Sequence, residues 1–145
     1  MAIQRKPVMN EQGELSTTDF GIFYPTGYMI VAFERYEDAE QTCRELRIGG
    51  YDPADCALHT AAKVAEFAQR NLEDAGLLSR LGQSAEAVKK HLEAAQKGAT
   101  FLRVYAPNDL DVERVMNVVH RRPFVLAHRY HRFAIEDLGE WESWQ

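Results

Sequence analysis

No run in this chain approaches the ~20 consecutive apolar residues that a bilayer-spanning helix requires. Its opening, MAIQRKPVMNEQGELSTTDF, holds no apolar export segment either. The expectation is a cytoplasmic protein with no membrane partner. Cysteine is scarce: Cys43 and Cys56 are the only two, and a single pair in a reducing compartment reads as two small buried hydrophobes rather than a disulfide. Basic charge is in deficit, with 17 Lys and Arg against 22 Asp and Glu and a formal net charge of −5. That opposes a general polyanion binder, because neutralising phosphates takes a basic field over the contact surface. Gly-x-Ser-x-Gly, His-Glu-x-x-His, P-loop and dinucleotide fingerprints are missing as well. Ser79, Ser84 and Ser143 lack Asp and His in a usable order, and Cys43 falls on the inward face of a predicted helix. No catalytic residue, metal or cofactor is expected.

Apolar residues make up 46% of the 145, which suits one compact domain with a real core. Residues 1 to 27 read as an N-terminal arm, polar at first and then aromatic, with Phe20, Ile22, Phe23 and Tyr24 before Pro25 and Gly27. Such a cluster calls for a docking surface. YMIVAFE, 28 to 34, is apolar at both parities, the mark of a strand covered on both faces. A helix follows, with Ala39, Thr42, Cys43 and Leu46 inward and Gly49-Gly50 as its stop, then a short strand near Cys56 to Thr60. Ala61, Val64, Ala65, Ala68, Leu72 and Ala75 mark one helical stripe; Ala85, Val88, Leu92 and Ala95, behind Ser84 as N-cap, mark a second. ATFLRVYAP is a strand, and NDLDVERVMNVVHRR is a helix capped by Asn108 or Asp109. One further strand spans 124 to 135, and the acidic tail 139 to 145 carries Trp141 and Trp144.

The predicted fold class is α+β: a ferredoxin-like βαββαβ antiparallel sheet over 28 to 138, with a two-helix insert at about 61 to 97 between the second and third strands. Its two crossover helices lie on one side of the sheet. The other side is expected to be covered by the insert, the aromatic arm or a second subunit, so a homodimer is the expected assembly.

FERYEDAEQTCRELRIGGYDPADCALHT and GATFLRVYAPND carry a resemblance. Over roughly 28 to 138 the chain resembles the small bacterial heat-induced general stress proteins, a family without a defined biochemical activity. The resemblance implies the βαββαβ fold and a stress-associated or regulatory role, and it brings no catalytic residue.

HRRPFVLAHRYHRF, 120 to 133, concentrates three of the five histidines and four arginines without an acid. As metal ligands, His128 and His131 are three apart on a strand and point to opposite faces, while His120 ends a helix where a cation suits the dipole. Cys43, Cys56 and His59 make no better zinc set, and His59 and His91 read as surface histidines. As a nucleic-acid strip, KGATFLRV aligns with the RNP1 pattern at Lys97, Gly98, Phe101 and Leu102, but two of the three stacking rings are missing. A dimeric ferredoxin-like barrel, binding haem or a small aromatic substrate through a His and an Arg, is the enzyme alternative on fold alone. The expected function is a non-catalytic stress-associated binding or assembly module. Its ligand-binding candidates are Arg103, Tyr105, Arg129 and Arg132, which bring charge or a hydroxyl into apolar strands and suit a small anion or a protein partner.

Overall fold

The computed structural model describes residues 26–74, 82–131 and 134–145. The aromatic part of the arm, Phe20 to Tyr24, and Arg132 lie outside the described residues. In chain order the elements are β1 (Tyr28–Phe33), α1 (Tyr36–Ile48), β2 (Cys56–His59), α2 (Ala61–Glu73), α3 (Ala85–Gln96), β3 (Thr100–Tyr105), α4 (Asp109–Val119), β4 (Leu126–Tyr130) and β5 (Ile135–Asp137). The strands form one antiparallel sheet in the order β2-β3-β1-β4-β5.

This is an α+β fold whose sheet has five strands where four were expected. The single strand expected over 124 to 135 is in fact two. Tyr130 pairs with Ile135 and His128 with Asp137, and the His131 amide donates to the Ala134 carbonyl at 2.8 Å to close the return. Mixed parity across that stretch has a simple cause: β4 is covered on both faces, with Ala127 in one core and Leu126 and Tyr130 in the other.

Helices cover both faces of the sheet. On one, Met29, Val31 and Phe33 of β1 pack with Ala39, Cys43 and Leu46 of α1 and with Val112, Val115 and Met116 of α4. On the other, Ile30 and Ala32 meet Val64 of α2, Ala94 and Ala95 of α3, Phe101 of β3 and Leu126 of β4. All six residues of β1 are buried, as its apolar character at both parities requires. The insert provides the cover, and its small side chains let α2 and α3 lie close to the sheet.

Of the two N-caps expected, the one at Asn108 or Asp109 is made, by Asn108, and Thr60 adds one that was not expected. Asn108 accepts from the Asp111 amide at 2.9 Å, and Thr60 from the Lys63 amide at 3.2 Å. Ser84 departs from its expected role. It makes no side-chain cap, and its Oγ instead accepts from the Ile135 amide at 3.0 Å, tying the start of α3 to β5. At the end of α1, Gly50 sits at φ +110°, with its amide donating to Arg47 O and the Tyr51 amide to Leu46 O, the paired bonds of a Schellman stop. A Cβ at Gly50 would meet nothing within 4 Å. Gly50→Ala is therefore expected to cost about 1–2 kcal/mol through backbone strain alone, read as a lower urea midpoint at unchanged slope.

The Trp tail is tucked in. Trp141 Nε1 donates to His120 O at 3.2 Å, Trp144 Nε1 to Leu138 O at 3.0 Å, and the Trp144 ring stacks on His120 with centroids 6.0 Å apart.

Candidate functional site

Strand parity decides where the candidates go. Arg103 lies opposite Ile30 and Arg129 opposite Met29, successive residues of β1. Their side chains therefore leave opposite faces of the sheet. Arg103 and Tyr105 share the face beneath the insert with Tyr28, whose ring lies 5.5 Å from the Arg103 guanidinium and 5.0 Å from the Tyr105 ring. Arg103 is fully buried. Arg129 sits on the α1–α4 face, paired with Asp109 at 2.6 Å. The candidates thus do not converge on one place.

Among the described residues, the rest of the basic stretch is engaged structurally. Arg121 and Arg122 both grip Glu45 of α1, Arg121 at 2.6 Å. His131 meets Glu136 at 2.6 Å, an acid that β5 brings alongside. These contacts pin helix to helix and strand to strand.

What the structure does assemble is a string of hydrogen-bonding side chains between α3 and the sheet. His128 of β4 and His91 of α3 are both buried, and His91 Nε2 stands 2.7 Å from His128 Nδ1. Tyr130, on the same strand face as His128, places its hydroxyl 3.1 Å from His91 Nδ1. With one proton per ring the string closes in two ways. Tyr130 donates to His91 and His91 to His128, or every donor and acceptor reverses together. The nitrogen left over in both cases is His128 Nε2.

His91 and His59 were expected at the surface, and both are buried. On α3 the inward residues are Val88, His91, Ala94 and Ala95, while Leu92 is only half-buried. The helix is turned toward the histidine because its partners on β4 satisfy a polar ring there.

Burial governs the electrostatics of the string. It pushes His91 well below the ordinary imidazole range, and the neighbouring His128 pushes further the same way. His128 is lowered to about 4, chiefly by burial, with Asp137 acting against the shift and Lys90 with it. Both rings are therefore neutral at pH 7. A base this weak takes little of a substrate's proton at neutral pH, so the pair serves better as a hydrogen-bonding element than as an acid–base couple.

His128 also lines a cleft of about 210 Å³ at the β4–β5 edge, together with Lys90, Lys97, Glu93, Asp137 and Glu140. Three carboxylates against two ammonium groups leave the cleft slightly acidic, which does not suit a small anion. Among the described residues no group of three or more His, Cys, Asp or Glu could hold a metal ion. No described helix is long and apolar enough to cross a membrane.

Compared with known proteins, the chain matches no family model, no curated protein and no solved structure.

Proposed function

We propose that this chain is a non-catalytic, stress-associated regulatory binding module of ferredoxin-like fold in the cytoplasm, with the α2–α3 pair as its responsive part. One observation carries the proposal: the Tyr130–His91–His128 string is buried between α3 and the sheet, and its outer histidine lines the β4–β5 cleft. Neutral, the string is satisfied. A proton on either ring has to be held away from water in an apolar setting, which works against the seating of α3. A ligand that polarises His128 through the cleft would act on the same element. The lining carboxylates favour a ligand or protein segment that carries donors or positive charge.

The stress association rests on the resemblance over 28 to 138. The ferredoxin-like assignment is supported by β2-β3-β1-β4 lying in that order with α1 and α4 packed on the same face; β5 extends the sheet by one edge strand. The insert, one of the three covers expected for the second face, packs on it, so the proposal does not require self-association.

Two alternatives lose support on the same ground. Phe101 and Arg103 are fully buried beneath the insert, so bases have no ring to stack on while α2 and α3 are seated. A barrel closed between two sheets needs the same face. No retention on single-stranded DNA or RNA at low salt is the expected result.

Hydrogen exchange read by segment tests the proposal. Lowering the pH from 7 to 4.5, after correction for intrinsic rates, is expected to strip protection from 61–73 and 85–96 before 36–48 and 109–119. A uniform loss across all four helices would refute a responsive insert.

A further inference from the structure

On the sheet face opposite the insert, Cys43 of α1 and Cys56 of β2 bring their Sγ atoms to 3.1 Å as free thiols. That is closer than the about 3.5–4.0 Å at which non-bonded carbon atoms pack, and a bond at about 2.05 Å needs only about 1 Å of further approach. The two residues differ in access. Cys56 is fully enclosed, while Cys43 lines a surface groove of about 350 Å³ with Tyr36, Glu40, Arg44, Arg47 and Leu58. Arg47 is anchored there by donating to the Cys56 carbonyl at 3.0 Å, and Arg44 is held by Glu40 at 3.0 Å.

We propose that Cys43 and Cys56 form a two-thiol redox sensor that a hydroperoxide oxidises once per chain, without turnover, to a reversible disulfide, with Cys43 the attacking and Cys56 the resolving thiol. The Cys43 sulfur attacks the terminal peroxide oxygen, the O–O bond breaks, and the remaining oxygen leaves as an alcohol, or as water from hydrogen peroxide, taking up the thiol proton. Cys43 is then a sulfenic acid. The Cys56 sulfur attacks the Cys43 sulfur, the S–O bond breaks, and water departs with the Cys56 proton. The pair is oxidised by two electrons and the peroxide is reduced by two.

Several features assign these roles. Cys43 faces the groove through which a reagent arrives, whereas Cys56 is fully buried and does not line it. The Cys43 thiol is lowered, first by its contact with the Cys56 sulfhydryl and then by Arg47, with burial opposing the shift, whereas that contact and burial push Cys56 upward. The direction favours the thiolate at Cys43, on the side where the peroxide enters. Arg44 and Arg47 line the same groove as Cys43, and cationic groups there favour the negative charge that develops on a departing oxygen. Tyr36 and Leu58 give the groove an apolar wall that suits an organic hydroperoxide as well as hydrogen peroxide.

The test is intact-mass and peptide analysis of the folded full-length chain after brief exposure to hydrogen peroxide or cumene hydroperoxide. The expected product is a loss of two hydrogens mapped to a Cys43–Cys56 crosslink and reversed by dithiothreitol. The hydrogen peroxide arm alone reacting would assign the smaller peroxide; both reacting would assign the class. Cys56→Ser is expected to trap Cys43 as a sulfenic acid that dimedone labels, and Cys43→Ser to lose labelling at Cys56. Because either variant can perturb the core, differential alkylation of the folded wild type is the second measurement: Cys43 is expected to be modified first. A wild-type chain that stays fully reduced under both peroxides, or crosslinks only after unfolding in denaturant, overturns the proposal.

Discussion

Acidification from pH 7 to pH 4 is expected to remove about 3 kcal/mol of folding stability through His128 alone, the free energy equivalent of moving one imidazole from its ordinary value to about 4. The direction follows from proton uptake. Below the ordinary imidazole range the unfolded chain binds a proton at this position, while the folded chain, with its depressed value, does not. The contribution is fully present above about 6.5 and is lost as the pH falls toward 4. His91 is displaced the same way and adds to the loss. Two charged groups face His128, Asp137 of β5 and Lys90 of α3, and they act on it in opposite directions. Urea unfolding at a series of pH values, compared with the double variant His91→Gln and His128→Asn, isolates the effect. These amides retain hydrogen-bonding groups near the ring nitrogens and do not titrate. Wild type is expected to lose markedly more stability than the variant between pH 6.5 and 4. Parallel curves would show that the string does not control acid sensitivity.

Phe101→Ala is expected to cost about 3–5 kcal/mol, the usual range for truncating a buried aromatic. Phe101 is fully buried among Ile30, Ala32, Val64, Ala95 and Leu126, and the His91 ring meets it edge-on at 6.5 Å. A loss of this size is a large part of the 5–15 kcal/mol that holds an ordinary domain together. The same substitution also discriminates between functions. A ring presented to nucleic acid can be removed with little effect on stability, because it packs against nothing in the free protein. A fall in the urea midpoint of the size stated places Phe101 in the core beneath the insert, and an unchanged midpoint would revive the stacking platform.

Much of the architecture was legible in the residues. Apolar positions at both parities of 28 to 33 called for a covered strand; the stop at Gly49-Gly50 and the cap at Asn108 or Asp109 gave element ends that the structure reproduces, with Asn108 as the cap. These are local signals, set by backbone geometry and side-chain spacing over one or two turns. The candidate site was much less legible. Arg103 and Arg129 looked alike in sequence, each a charge in an apolar strand, and only the register against β1 separates them onto opposite faces. His91 was passed over because Leu92 better fits an apolar stripe. A clue was present, since His91 keeps helical spacing with Val88 and Ala95, but its partners lie 37 and 39 residues away.

By itself, then, the sequence determined the order of the described helices across 36 to 119, the burial of β1 on both sides, and the lack of the familiar catalytic motifs, because periodicity and capping act over a few residues. Tertiary structure alone decided that 124 to 135 folds back into two strands, that the insert packs on the second face, and that two pairs, His91 with His128 and Cys43 with Cys56, come into contact. Those outcomes depend on which distant side chains meet across the sheet. A polar group buried by such a meeting is stable only with the partner that the fold brings to it.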